Sequence, residues 1–378
     1  MEIGFEAKRI THNATGLGNY CRTVIETLSR YAPDNEYLLF SPDSGREELR
    51  KRLPAAPSIR FCYPQTPKHG IGKSIWRSWG VVRELPTDLT LFHGLSGELP
   101  IGLRKAGICS IVTIHDLIFL RHPSYYSKID RTIYTLKFRK ACETANRIIA
   151  ISEATKRDII HYFGISDKKI DVVYQSCDAQ FKRPISEEKL RAVREKYRLP
   201  DRYILTVGSI EERKNLKLLV EANRLLPEPI DLVAVGKRTP YTACVEQYAA
   251  KHRIDNHLHI LSNVTFPDLP AIYRNAALFV YPSRYEGFGI PMIEAAACGV
   301  PTIGTRGSCL EESGGAGAFY VDPDNAEELA TRIVEVLSDT ALQKQMIEAG
   351  LHHVKRFEPK QIAADLLAVY QRAIELNG

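Results

Sequence analysis

Short apolar runs, each ending in a turn and most followed by an amphipathic stretch, recur along the whole chain and constrain its fold more than any other feature. In the first half they are MEIGFEA, EYLLFSP, SIRFCYP, LTLFHGL, SIVTIHD, RIIAISE and DVVYQS; in the second, YILTVGS, DLVAVGK, LHILSNV, LFVYPS, PTIGT and AFYVDP. Apolar runs of this length, bounded by turn residues, suit strands buried on both faces. Helical spacing predicts helices at 19–31 and 128–145, then at about 214–226, 241–253, 268–276, 291–298, 325–337 and 341–355. Strands alternating with helices build parallel sheets covered on both sides, and the alternation occurs twice. A chain of 378 residues also exceeds a usual single core. The expected fold class is therefore α/β, with two doubly wound domains over 1–178 and 200–356. The stretch 179–199 has no strand pattern and reads as a linker with a short helix. A last helix, 357–378, carries Pro359 near its first turn, where a missing N–H is no loss.

Composition narrows the function classes. At 44% hydrophobic and 25% charged residues, the chain is neither disordered nor a disulfide scaffold. Its eight cysteines are scattered, without a C-x-x-C pair, as reduced thiols of a cytoplasmic protein would be. The opening MEIGFEAKRI lacks the pattern of a signal peptide. The net charge of +6 divides into +7 over residues 1–180 and −1 over the remainder, with +6 within 101–150 alone. That is too little for a nucleic-acid binder. A charge of this size is first that of a solvated surface; an anionic acceptor or an anionic membrane face is the alternative.

In open α/β sheets ligands sit beyond the carboxyl ends of the strands, so the loops there are the candidate sites. The stretch YPSRYEGFGIPMIEAAACGVP, 281–301, is one of them. Gly287 and Gly289 let the backbone approach a ligand, and Glu286 in the loop and Glu294 in the helix's first turn can share one cleft. Arg213 and Lys214 follow the strand YILTVGS in an exposed loop just before a helix. The macrodipole disfavours cations there, which points to a bound anion. Gly16, Leu17, Gly18 and Asn19 form a loop opening the first long helix. Cys21 occupies the third glycine position of a dinucleotide fingerprint, which disfavours a nicotinamide oxidoreductase. His115 and His93 end strands of the first domain. The only Asp-x-Asp, Asp322-Pro323-Asp324, reads as a turn and helix cap, so no metal is expected.

Taken together, YPSRYEGFGIPMIEAAACGVP, VGSIEERKNLKLLVEA, TGLGNYCRTVIETL, VTIHDLIFLRHP and IAISEATKRDI closely resemble the retaining nucleotide-sugar glycosyltransferases of the large group-1 family, with their E-x(7)-E pair. The resemblance covers most of the chain in the family's order. It departs from the common pattern at SCLEESGG, where Glu311 replaces a small residue or proline. It implies a GT-B architecture, with two Rossmann-like domains facing across a cleft and the last helix crossing back to the first. The first domain would bind the acceptor, a glycan or lipid-linked glycan, and the second the nucleotide diphosphate sugar. By carry-over, Glu294 would bind the ribose. Gly208, Ser209, Arg213, Lys214, Glu286, Gly287, Phe288, Gly289 and Ile290 would hold the diphosphate and sugar. His115 would meet the donor sugar, and Gly16–Asn19 the acceptor or a phosphate. His115, Arg213, Lys214 and Glu286 would carry the chemistry, with no cofactor. GDP-mannose is the favoured donor and a UDP-sugar the other. An epimerase or a non-catalytic sugar-nucleotide binder on the same scaffold is the alternative. The expected place is the cytoplasm, with contact at the inner membrane face through the basic run SKIDRTIYTLKFRK.

Overall fold

The computed structural model describes residues 1–377. Two compact units divide the chain: residues 1–176 with 357–377 form the first, and 177–356 the second. The first sheet has seven strands: β1 (Glu2–Glu6), β2 (Glu36–Phe40), β3 (Ile59–Cys62), β4 (Leu91–Gly94), β5 (Cys109–Ile114), β6 (Arg147–Ala150) and β7 (Ile170–Val172). Their spatial order is 3-2-1-4-5-6-7, and every pair is parallel. The second sheet has six: β8 (Tyr203–Val207), β9 (Asp231–Val235), β10 (Leu258–Leu261), β11 (Leu278–Tyr281), β12 (Thr302–Thr305) and β13 (Ala318–Val321). Their order is 10-9-8-11-12-13, again all parallel. Each sheet is thus doubly wound, and its order reverses once, between β1 and β4 in the first unit and between β8 and β11 in the second. Such switch points leave a crevice where the flanking loops diverge.

The central strands of both sheets are buried on both faces, as their unbroken apolar runs require, while the edge strands β3 and β10 are only partly covered. All six residues of β5 are buried, and Ile204, Leu232, Leu278, Val280 and Ile303 are buried within one core of the second unit. The C-terminal helix Pro359–Glu375 belongs to the first unit. Its buried residues Ile362, Leu366, Val369, Tyr370 and Ala373 recur at helical spacing. The helix packs on Gly16–Tyr31 and against β5 and β6.

The segment expected as a linker, 179–199, is instead built into the second unit. Its helix Glu187–Tyr197 is capped by Ser186. Lys189, Lys196 and Tyr197 all bond the buried carboxylate of Asp268, at 2.5, 2.6 and 3.0 Å. Charge pairing to a distant aspartate leaves no mark in local sequence pattern. Unexpected short helices at Lys8–His12, Glu47–Arg50 and Ile71–Ser78 fill connections of the first unit, and Glu153–Phe163 follows β6 under a Ser152 cap.

Candidate active site

The second unit assembles its site at the β8/β11 switch point. Gly208 directly follows β8, and its φ of +152° turns the chain away from the sheet. Gly236 beside it admits no side chain, because a Cβ there would lie 1.8 Å from the Gly208 carbonyl oxygen. A 3-10 turn, Glu212–Lys214, then carries the two cations, and Asn215 at φ +57° starts the helix Leu216–Arg224. Ser209 is half-buried in this connection. On the neighbouring strand, β11 delivers Tyr281 and the loop that follows delivers Ser283 and Glu286.

These two loops meet at one carboxylate oxygen. Glu286 Oε1 forms an ion pair with Arg213 Nη1 at 2.7 Å and accepts from Lys214 Nζ at 2.5 Å, Ser283 Oγ at 2.5 Å and Tyr281 OH at 3.3 Å. Lys214 also donates to Tyr281 OH at 2.5 Å, and its ammonium lies 5.0 Å above the Tyr281 ring. Arg213 Nη1 reaches the Tyr285 carbonyl at 2.6 Å, and the Cys309 thiol donates to the Glu286 carbonyl at 3.1 Å. Burial by itself pushes the Glu286 carboxyl up, but Lys214 and Arg213 outweigh it and hold the group at about 2. The Arg213 and Lys214 side chains are only 17% exposed, so the loop expected to be exposed is largely enclosed. Its cations fold over an internal anion rather than reaching into water.

Glu294 has the opposite environment. The helix Ile290–Ala297 starts one residue earlier than expected, because Gly289 adopts φ +91° as its cap. Glu294 is therefore its fifth residue, beyond the first turn. Its Oε2 accepts one hydrogen bond, from Tyr273 OH at 2.9 Å. Burial raises its pKa to about 7, only partly countered by Tyr273, with Asp178 adding repulsion. The glycine loop between the two acids is tightly enclosed. Gly287, Phe288 and Gly289 are buried and Ile290 half-buried. A Cβ at Gly289 would meet Leu310 at 2.5 Å. Glu311, where the sequence departs from the usual pattern, accepts from the Gly307 N–H at 3.2 Å. Asp322–Asp324 forms the expected turn, but the cap of the next helix is Asn325.

In the first unit, Gly16–Asn19 is not a loop but the first turn of the helix Gly16–Tyr31. Gly18 is required there, since a Cβ would lie 1.9 Å from the Asn13 carbonyl oxygen. Asn19 is exposed and accepts from Arg22 at 2.6 Å. His115 follows β5, with Nε2 donating to the Leu95 carbonyl at 2.8 Å and Nδ1 near Gln175 at 3.4 Å. Burial lowers its pKa to about 4, so the ring is neutral, with Nδ1 as the acceptor nitrogen. His93 lies in the core of the first unit. It is fully buried between Tyr370 OH and Thr113 Oγ1, both at 2.8 Å, and joins β4 and β5 to the C-terminal helix. Sequence reasoning missed Tyr281, Ser283 and Tyr273. The first two sit on the same strand end as Glu286 and were legible by that position. Tyr273 lies on another helix and carried no local signal.

Two family models match the chain: "Glycosyl transferases group 1" over residues 186–353 and "Glycosyltransferase Family 4" over residues 14–181. The chain belongs to the group-1 glycosyltransferases. Among curated relatives, O-antigen chain mannosyltransferase B of Escherichia coli is 29% identical over 98% of this chain and 100% of its own length. The serotype-specific mannosyltransferase WbdA of Escherichia coli is 28% identical over 71% of this chain, which spans about a third of that longer protein. Among solved structures, the glycosyltransferase resembles HepE of Anabaena, determined with UDP and glucose. The TM-score is 0.77 at 18% identity, over 98% of this chain and 100% of HepE. Both units thus belong to a two-domain GT-B fold, and the activity is that of a transferase of glycosyl groups.

Proposed function

We propose that this glycosyltransferase moves a hexose, with mannose from GDP-mannose favoured over a UDP-sugar, to a hydroxyl of a glycan or lipid-linked glycan with retention at the anomeric carbon. The observation that carries the reading is the cluster of Arg213, Lys214 and Glu286 at the second sheet's switch point. Breaking a glycosyl–phosphate bond places negative charge on the leaving diphosphate, and fixed cations in an enclosed site stabilise it. Arg213 and Lys214 are such cations, held in place by Glu286 before the diphosphate arrives. They supply the positive charge that a metal provides elsewhere, so the reaction needs neither metal nor cofactor. Glu286, carrying two cations and two hydroxyl donors, is a poor base and a poor nucleophile. Its role is to orient Lys214 and Arg213. The leaving phosphate then takes the acceptor's proton from the same face, which preserves configuration. Glu294 accepts the ribose hydroxyls, and the Gly287–Ile290 loop and Gly208–Ser209 enclose the sugar and phosphates. Mannose is favoured because both reported relatives of this chain are mannosyltransferases.

Contact with an anionic membrane face is part of the same proposal. No helix among the described residues is long and apolar enough to cross a bilayer. Two helices of the first unit nevertheless expose apolar stripes: Ile71, Ile75 and Trp79 on and just after Ile71–Ser78, and Ile129, Ile133 and Leu136 on Lys128–Thr144, each 44–80% exposed. Glu98 ties the helices together, bonding Arg77 at 3.0 Å and Lys137 at 3.2 Å. Within the run SKIDRTIYTLKFRK, Phe138 turns inward onto Phe119, 5.4 Å between ring centroids.

A thermal-shift panel of UDP, GDP, ADP and CDP tests the donor. A ligand at a hundred times its Kd stabilises by about 2.7 kcal/mol, so the true nucleotide stands out. GDP alone stabilising supports the reading; UDP alone moves it to a UDP-sugar; no stabilisation by any of the four removes the donor site. Turnover that stops in excess EDTA and returns with magnesium removes the metal-free mechanism.

A further inference from the structure

At the carboxyl end of β1, the first unit contains a cavity of about 330 Å³, which the donor chemistry does not use. Ligand pockets begin at roughly this size. Its lining comes from the connection after β1 and from Arg46 beyond β2, so it lies outside the carboxyl ends of strands, where open α/β sheets take ligands. Lys8, Arg9 and His12 of one short helix line it together with Thr15 and Arg46, and no acidic residue does. The side chains of Lys8 and Arg9 make no hydrogen bond or ion pair within the described residues. Arg46 is held at the rim by the His12 carbonyl, 3.1 Å away, and His12 by Asp43 at 2.9 Å. Burial and the neighbouring Arg77 lower the Lys8 pKa, and Glu6 and Glu98 only partly offset them. Thr15 is also where the helix Gly16–Tyr31 begins, with no capping side chain and no acid in its first turn.

We infer that this cavity is the subsite for a phosphate or diphosphate group of the acceptor. Two unpaired cations on one helical turn match a dianion; a single carboxylate would leave one of them unanswered. Arg46 then closes the third side, and the Gly16–Gly18 turn adds backbone N–H groups. The inference rests on the reading that the first unit binds the acceptor. It narrows the acceptor class to phosphorylated compounds, either a polyprenyl-diphosphate-linked glycan or a soluble sugar phosphate.

The experiment titrates inorganic pyrophosphate into the full chain while the stabilising nucleotide saturates the donor site. The parent is expected to bind pyrophosphate. The K8Q/R9Q double variant is expected to bind it at least tenfold more weakly, and Arg9→Lys to recover part of the loss. Nucleotide affinity should be unchanged in all three, which also reports that they fold. Equal pyrophosphate affinity in parent and double variant overturns the inference, as does no binding by the parent. Binding that vanishes on nucleotide saturation also overturns it, because the phosphate would then be the donor's. Displacement of pyrophosphate by polyprenyl diphosphate in neutral vesicles, or by a soluble sugar phosphate, supports the subsite and identifies its source; displacement by neither overturns it. Failure of every nucleotide to stabilise the parent instead sinks the glycosyl-transfer reading itself, a separate outcome.

Discussion

Glu286 and Glu294 lie eight positions apart in one segment, yet their protons behave in opposite ways. Glu286 is held at about 2, so its stabilising contribution is present above the ordinary carboxyl value of 4.5 and is lost as pH falls from there towards 2. Glu294 is raised to about 7, so the folded state holds its proton more tightly than the unfolded chain. Stability from this group is full below 4.5 and is lost as pH rises from 4.5 to 7. A shift of this size corresponds to about 3 kcal/mol. Glu294→Gln is therefore expected to melt higher than the parent at pH 8 and near it at pH 4.5. The same variant should bind the nucleotide-sugar more weakly, by about 1.5–3 kcal/mol, the usual cost of losing hydrogen bonds to a charged acceptor. Melting curves at both pH values, with donor titration, check the pair of effects. Unchanged donor affinity removes Glu294 from the ribose role. Lys214 and Arg213 make a second test. R213A/K214A leaves Glu286 buried without a cation, which costs roughly 3–5 kcal/mol, whereas Arg213→Ala alone keeps Lys214 in place. Urea denaturation should show a small loss for the single variant and a large one for the double. Adding Glu286→Gln should restore most of the double variant's stability but not its turnover.

At the scale of elements, the site exists because two loops at the same sheet end are each forced into an unusual backbone. Gly208 and Asn215 bracket the cation turn with positive φ, and Gly289 does the same before Ile290–Ala297. Leu310 and Ser313, pressed against Gly289, explain why only glycine fits there. The helices Ile71–Ser78 and Lys128–Thr144 present the converse case: amphipathic elements with apolar residues turned outward. Exposed apolar stripes beside Lys128, Arg131 and Lys140 suit an anionic bilayer surface, with each basic residue contributing about 1 kcal/mol. The protein is expected to co-sediment with anionic vesicles at low salt and to release near 1 M salt, where the screening length shrinks to about 3 Å. I71D/I129D should abolish sedimentation without changing nucleotide binding. If the parent remains in the supernatant with anionic vesicles at low salt, the membrane proposal fails.

At the scale of the whole molecule, the first unit is completed by residues that come last in the chain. Leu366, Val369, Tyr370 and Ala373 are buried, and Tyr370 OH bonds His93, which bonds Thr113, which Tyr20 also reaches at 3.3 Å. Asn377 adds a hydrogen bond to Asn146 at 2.9 Å and Arg372 an ion pair to Asp171 at 2.9 Å. Truncation after Arg356 removes this buried face, a loss comparable with a domain's entire stability of about 5–15 kcal/mol. The shortened chain is expected to lose the first unit's cooperative melting transition by calorimetry. Tyr370→Phe is a gentler probe, expected to cost about 1–3 kcal/mol by leaving the buried His93 nitrogen unpaired.

The sequence alone determined the parallel, doubly wound sheets, because a strand buried on both faces must be apolar throughout, and that pattern is local. All thirteen strands formed where the apolar runs placed them. It also placed the acidic and basic residues of the candidate site at strand ends and glycine loops, because these are local features as well. Tertiary structure decided what each of those residues experiences. Arg213, Lys214, Ser283 and Tyr281 converge on Glu286 only when β8 and β11 lie side by side. Glu294 meets Tyr273 only through a neighbouring helix, and His93 becomes a core residue only when the C-terminal helix returns. Burial and charge pairing depend on which distant segments meet. One chain therefore holds two carboxylates of identical chemistry, one far below and one well above its ordinary proton affinity.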